Sequence, residues 1–522
     1  MDERIAIGQH FFTGFAGPTM TDAFIQNVRE QKIGNAILFE YNVGSKDHLA
    51  QLCAEIRTLI LSETGHEPLI ALDQEGGAIS RLTEDSTIFP SAMGMAATGN
   101  PDLARMAGRI TAQELRAMGV NLNLAPVLDV NSNPQNPVIG IRSYGDDPLK
   151  VAKFGLAMAE GLAEGGILSC VKHFPGHGDT AVDSHIGLPL VAKTMEDLAS
   201  CELLPFRSAI QAGIPAVMTA HILFPELEPD QLPATMSRRI ISGLLKQQMG
   251  FQGLVLSDCL MMDAIAKEYG EVVGSVAAVR AGVDMVFISH DAALAAQGAR
   301  AVQQALRDGT LNQAEFDAST QKILAVKASL APASLSLADV GCAEHRQASL
   351  RATHEALTLV HPAPFTLGKR PLFLGCSRFR PTLAANPEDE TQRFPMTMQA
   401  LLGGDALLTP ADPTPEDIQA ALACAQGHSA VVIGLFNALQ CEGQRRLVAQ
   451  AAKLGIPVCA VALRAPYDLA GLPDAVRTYA IYDYDVRTMV AFADGLRGKN
   501  AFTGKLPVHL PASQPNADAP DR

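Results

Sequence analysis

Residues 168–189 read LSCVKHFPGHGDTAVDSHIGLP. The stretch opens on an apolar run, Leu168–Val171, and changes character at Lys172 and His173. An apolar run without strict alternation suits a strand covered on both faces, as in a parallel sheet. The same pattern recurs outward from here at Ile5–Phe15, Ala36–Phe39, Leu69–Leu72, Leu122–Pro126, Ala216–Thr219, Leu254–Leu256 and Met285–Ile288, eight runs in all. Between them, apolar residues return every three or four positions, as at Leu103, Met106, Ile110, Leu115 and Met118, which is amphipathic-helix spacing. Eight strand–helix repeats in ~330 residues predict a TIM (β/α)8-type barrel. A doubly wound sheet is the alternative that the pattern leaves open.

The expected barrel spans 1–330. Residues 331–347, APASLSLADVGCAEHRQ, read as a linker. A second, smaller α/β sandwich domain is expected over 348–513, with parallel strands at Pro371–Leu374, Ala430–Gly434 and Val458–Leu463 and a helix at Gln444–Leu454. Residues 514–522 read as a disordered tail.

Composition narrows the function. Among 522 residues, 41 Lys+Arg against 55 Asp+Glu give a net charge of −14, so a nucleic-acid partner is not expected. With no Trp and 5% aromatics, a stacking platform is not expected either. Nine scattered cysteines without a CxxC pair suggest a reducing compartment rather than a disulfide scaffold or zinc knuckle. No apolar stretch of ~18 residues could span a membrane. The opening MDERIAIGQH lacks the apolar core of a signal peptide, so a cytoplasmic location is expected. No metal-ligand spacing and no GxGxxG loop occur, so neither metal nor cofactor is expected.

In a barrel, chemistry sits at the C-terminal ends of the strands. There the sequence places Asp73 (ALDQEGG), Lys172 and His173, His221 (MTAHI) and Asp258 (VLSDCLMM). A carboxylate such as Asp258 just past a buried strand could serve as a nucleophile; its alternative is a helix cap or an ion pair. Asp183 and His185, two apart, fall on one side of an extended segment. An Asp bonded to imidazole fixes its tautomer and raises its pKa, which makes a general acid near neutrality. A purely structural pair is the alternative. His177 reads as structural, and a buried Lys172 needs an anion or a hydroxyl-rich ligand.

KHFPGHGDT followed by DSH, then SDCLMM, resembles glycoside hydrolase family 3 in its β-N-acetylglucosaminidase branch, two-domain form. The likeness takes in DQEGG with Arg81 beyond it, NPVIGIRSYGDDP around Arg142, and MTAHI. ALRAPYDL and GKLPV resemble the second domain of such proteins. The resemblance implies Asp258 as nucleophile and His185 as acid/base, oriented by Asp183. It implies Asp73, Arg81, Arg142, Lys172, His173, His221 and Met262 as substrate-binding residues. For Arg81 and Arg142, ion pairs of the barrel rim are the alternative.

The implied activity is that of a retaining exo-β-N-acetylglucosaminidase. It would act by double displacement on GlcNAc-containing oligosaccharides or peptidoglycan fragments, as in peptidoglycan recycling. One alternative is a phosphorylase with inorganic phosphate as acceptor, because a histidine acid/base does not repel the dianion as a carboxylate would. Another is a β-glucosidase, or a dual-specificity enzyme, using Glu442 of CEGQRRL. Against it, the Trp that follows the nucleophile in that branch is Cys259 here, which leaves room for an acetamido group beside Leu260 and Met262. A non-catalytic sugar-binding protein would need none of Asp258, Asp183 and His185.

Overall fold

The apolar runs pair side by side and close on themselves. In the computed structural model, β1 (Phe11–Thr13), β2 (Asn35–Leu38), β3 (Leu69–Leu72), β4 (Leu122–Asn123), β5 (Leu168–Phe174), β6 (Ala216–Thr219), β7 (Leu254–Cys259) and β8 (Met285–Ile288) form a closed barrel in chain order. All neighbours are parallel, and β8 returns to β1 through Phe12↔Phe287. The structure describes residues 1–511 apart from 182, 185–186, 331–333, 381, 383–384 and 386–390.

Alternation along each strand sorts the apolar side chains into two layers. Phe12, Ile37, Ala71, Cys170, Met218, Leu256 and Phe287 fill the interior, where the rings of Phe12 and Phe287 stack at 4.2 Å. Phe11, Val171, Val217, Val255 and Val286 face the surrounding helices. β4 is two residues long, and asparagine amides complete its pairing with β3. Asn121 Oδ1 accepts Ile70 N–H (2.7 Å), and Asn123 bonds both backbone groups of Gln74.

The helix Pro101–Ala117 buries the periodic face that includes Leu103, Ile110 and Leu115. The helix Pro148–Glu164 starts where Asp147 accepts Leu149 N–H and Pro148 takes the first position, which needs no N–H. The helix Gln313–Ala328 crosses the N-terminal mouth. Ile323 joins the interior cluster, Lys327 bonds Gln9 and the Gly34 carbonyl before β2, and Lys322 meets Asp284 before β8.

Two readings of the barrel region are corrected. The run Ile5–Phe15 is not one strand: a helix, Glu3–Gly8, capped by Asp2, precedes β1. The segment 331–347 is no free linker where it is described. It carries a turn at Leu337–Asp339, buries Val340, and is pinned by Glu114, which takes Gly341 N–H (3.0 Å) and His345 Nδ1 (2.7 Å).

The chain divides into two units: Met1–Ile88 with Pro101–Gln347, and Phe89–Asn100 with Ala348–Arg522. The barrel unit is therefore interrupted, and the short helix Ala92–Ala97 belongs to the second unit. There Ser91 N–H donates to Asp483 Oδ2 (2.9 Å) and Lys505 N–H to the Ala97 carbonyl (2.8 Å).

The second unit holds a six-stranded sheet of β9 (Thr358–His361), β10 (Pro371–Gly375), β11 (Asp405–Leu408), β12 (Ala430–Leu435), β13 (Val458–Ala462) and β14 (Arg477–Ala480), in the order β11-β10-β12-β13-β14-β9. Only β9, at one edge, runs antiparallel. Its core gathers Phe373, Phe394, Met398, Val432, Tyr479 and Phe492. The tail 514–522 lies outside the described residues. No helix among the described residues is long and apolar enough to cross a membrane.

Candidate active site

At the C-terminal ends of β3 and β5, four charges interlock. Lys172 is buried, and its ammonium meets Asp73 Oδ1 at 2.6 Å and Glu75 Oε1 at 2.7 Å. Glu75 is held in turn by Arg142 through a two-point fork, Nε to Oε2 at 2.9 Å and Nη2 to Oε1 at 2.8 Å. Burial alone would raise the Glu75 carboxyl, but Arg142 and Lys172 outweigh it and hold it well below the usual range. The same exchange works on Lys172: burial pushes its pKa down, and Asp73 with Glu75 more than restores it.

His173 continues the network. Its Nδ1 lies 2.7 Å from Asp129 Oδ2, and its Nε2 lies 3.4 Å from Arg142 Nη2. A guanidinium can only donate, so Nε2 accepts and Nδ1–H donates to Asp129. Asp129 is fully buried and also takes the backbone N–H of His177 at 2.7 Å. Burial raises its pKa, yet His173 and its other donors hold it below the usual range. The Lys172–His173 peptide is cis.

Asp258, partly exposed, stands next to last in β7 and accepts Cys259 N–H at 2.7 Å. His221 lies behind this strand end, its Nε2 3.0 Å from the Cys259 carbonyl and its Nδ1 2.9 Å from Thr235 Oγ1. Cys259 is thus held at both backbone groups, which fixes the direction in which Asp258 leaves the strand. Burial pushes the Cys259 thiol up, so it is a poor nucleophile. Met262 follows in the same turn, its N–H also on the Cys259 carbonyl (3.1 Å).

Arg81 sits on the loop after β3. Its guanidinium lies 3.5 Å from Glu40, and its backbone N–H donates to Gln74 Oε1 at 2.9 Å.

The loop after β5 is tied down by His177, which bonds Thr180 Oγ1 through Nδ1 (2.8 Å) and Ser184 Oγ through Nε2 (3.0 Å). Burial, helped by His173, pushes the His177 pKa down to about 4, so it serves as a neutral strut. Gly178 lies so close to the preceding loop that a Cβ would fall 1.7 Å from the Val130 carbonyl oxygen. Asp183 is buried, and its carbonyl accepts Gly187 N–H at 3.1 Å. His185 lies outside the described residues. Glu442 is exposed at the start of the helix Glu442–Ala451 in the second unit.

The structure therefore gathers Asp73, Arg142, Lys172 and His173 into one network and holds Asp258, His221 and Met262 together at the end of β7. Sequence reasoning missed Glu75 and Asp129, the carboxylates that join the first group. Glu75 stood in the quoted DQEGG, two residues from Asp73. Among the described residues no cluster of His, Cys, Asp and Glu could hold a metal ion.

Residues 7–326 match the family model described as the glycosyl hydrolase family 3 N terminal domain. The chain is 35% identical over 369 residues to beta-hexosaminidase A of Pseudoalteromonas piscicida, across 66% of this chain and 62% of that protein. It therefore spans less than two thirds of that relative's length. It is 37% identical over 286 residues to a beta-hexosaminidase of Thiobacillus denitrificans, across 54% of this chain and 78% of the relative. A solved structure, a glycoside hydrolase family 3 beta-N-acetylglucosaminidase from Paenibacillus sp. str. FPU-7, superposes with a TM-score of 0.91 at 34% identity, covering 98% of this chain and 100% of that one.

Proposed function

The chain belongs to glycosyl hydrolase family 3, and on that premise we propose that it is a retaining exo-β-N-acetylglucosaminidase. Its substrates would be GlcNAc-containing oligosaccharides or peptidoglycan fragments. The observation that carries this reading is the interlocked set Asp73–Lys172–Glu75–Arg142 with Asp258 on the same rim of the barrel. Lys172 spends two of its three donors on Asp73 and Glu75, which leaves one N–H for a sugar hydroxyl. Asp73 has a second carboxylate oxygen for another hydroxyl. With Asp129 and Asp258 the group carries more negative than positive charge, which suits an oxocarbenium-like transition state.

In this reading Asp258 attacks C1 while His185, oriented by the buried Asp183, gives its proton to the departing oxygen. A glycosyl-enzyme forms, and His185 then takes a proton from water as the water attacks C1. His221, bonded to the Cys259 carbonyl, would line the site and help to position Asp258. Arg81 would close the rim from the β3 loop, and Met262 would pack beside the 2-acetamido group. The cysteines are all free, which supports a reducing compartment such as the cytoplasm.

The test is turnover of p-nitrophenyl β-GlcNAc with and without inorganic phosphate, with product analysis. Free GlcNAc of retained configuration in both cases is expected. GlcNAc 1-phosphate as the main product would make the chain a phosphorylase. A kcat/KM for the β-glucoside equal to or above that for β-GlcNAc would overturn the sugar assignment.

A further inference from the structure

At the opposite mouth of the barrel from Asp258, a cavity of about 660 Å³ opens beside the crossing helix Gln313–Ala328. Its other walls are the segment Arg239–Gln248, wound as a π-helix, and the end of the helix Glu271–Ala281. π-helical turns are rare and frequent at functional sites.

The floor of this cavity is the buried carboxylate of Asp284, which is already saturated. Oδ1 accepts Ser319 Oγ at 2.6 Å; Oδ2 accepts Val255 N–H at 2.8 Å and Lys322 Nζ at 2.6 Å. Lys246 reaches the same carboxylate only at 3.4 and 3.5 Å, and its ammonium has no other hydrogen-bond acceptor among the described residues. Two ammonium groups therefore share one carboxylate. Burial, with the repulsion of Lys322 added, pushes the Lys246 pKa down.

Among the described residues no second carboxylate lies within salt-bridge distance of Lys246, and Glu315 acts on it only from farther off. His10 donates to the Asp284 carbonyl (2.6 Å), and burial keeps it neutral with a pKa of about 4. On the rim Arg238 is neutralised by Glu315 at 2.8 Å, whereas the exposed Arg280 has no carboxylate within salt-bridge distance among the described residues. Lys246 and Arg280 thus bring two uncompensated positive charges to one cavity, and its volume is that of a small-molecule site. A monoanion would answer half of that charge; a phosphate dianion answers both, and guanidinium with ammonium supplies donors for its oxygens.

We propose that this cavity is a second ligand site, remote from the sugar site, which binds a phosphate group on Lys246 and Arg280, either as the free ion or as the ester of a small molecule. Binding would tie the π-helix to the end of the helix Glu271–Ala281 under the barrel and stabilise the unit by mass action.

The experiment is calorimetric titration of the full chain at constant ionic strength with inorganic phosphate, glycerol 1-phosphate and succinate. Saturable binding of at least one phosphate compound is expected, with succinate much weaker. Inorganic phosphate binding alone would identify the free ion as the ligand; binding of glycerol 1-phosphate would identify an ester. Lys246→Gln and Arg280→Gln should each weaken binding about tenfold or more, the scale of one charge-assisted hydrogen bond. Their kcat and KM on p-nitrophenyl β-GlcNAc in phosphate-free buffer should stay unchanged. Arg280 is exposed, so Arg280→Gln remains informative even if Lys246→Gln folds poorly. Asp258→Asn should bind the probe as the parent does, which separates this site from phosphate acting as a glycosyl acceptor. Absence of saturable binding, equal affinity in parent and Arg280→Gln, succinate binding as tightly as phosphate, or loss of binding in Asp258→Asn would overturn the proposal.

Discussion

Asp258 is part-exposed at the end of β7 and accepts the Cys259 N–H, and in the proposed reaction it is the nucleophile. Asp258→Ala should lower kcat on p-nitrophenyl β-GlcNAc by ~10³-fold or more, the cost of deleting a reacting group. Activity surviving within tenfold in a steady-state assay would remove it from that role. Glu75 makes a different prediction. Glu75→Gln leaves Arg142 and Lys172 underpaired in a buried place and should cost about 3–5 kcal/mol in urea unfolding at pH 7. A depressed carboxyl stabilises the fold above its unfolded pKa, ~4.3, and loses that contribution as the pH falls toward its folded value. The gap between parent and variant should therefore close below pH ~4. Lys327 runs the other way. Burial pushes it down to about 7, against ~10.4 unfolded, so the unfolded state binds more protons between those values and stability should rise with pH there. Urea midpoints at pH 7 and pH ~10 should show this rise in the parent and lose it in Lys327→Met. Of these residues Asp258, Lys172 and Arg142 were legible in the sequence, because each ends a run or sits in a quoted motif. Asp129 was not. It stands several residues past a two-residue strand that asparagine amides prolong, and nothing local marks it as the partner of His173 and His177.

At the scale of elements, strands with two covered faces announce themselves and strands at an edge do not. β3, β6 and β8 match the apolar runs residue for residue. β9 and β11 lie at the two edges of the second sheet, are only part-buried along most of their length, and carry polar residues such as His361 and Asp405, so their apolar runs are short and inconspicuous. β1 was blurred because the helix before it carries the apolar residues Ile5, Ala6 and Ile7. In the loop after β5 the residues were legible but not the bonds among them: His177 clamps both Thr180 and Ser184, and Gly178 is present for close approach. Gly178→Ala would drive a methyl into the Val130 carbonyl and should cost about 1–3 kcal/mol as overpacking. On the roles proposed for Asp183 and His185, which follow Gly178 closely in the chain, kcat should fall further than stability does. Equal activity with a lowered melting temperature would show that the loop position is irrelevant to turnover.

For the whole chain, the expected cut between two consecutive domains is replaced by an interrupted one. A truncation ending at Gln347 keeps the helix Ala92–Ala97, all six of whose residues are buried in the full chain, and removes the rest of its unit. Such a fragment should bind a hydrophobic dye and aggregate, as followed by dye fluorescence and light scattering; a monomeric fragment without dye binding would contradict this. The same interruption sets a timetable. Ser91 leaves the ribosome long before Asp483, 392 residues later, so at ~5–20 residues per second the segment waits roughly 20–80 s for its partner. Through that interval the nascent barrel carries an unclaimed apolar stretch that a holdase chaperone would recognise, and the order of synthesis becomes a constraint on how safely this protein can be made.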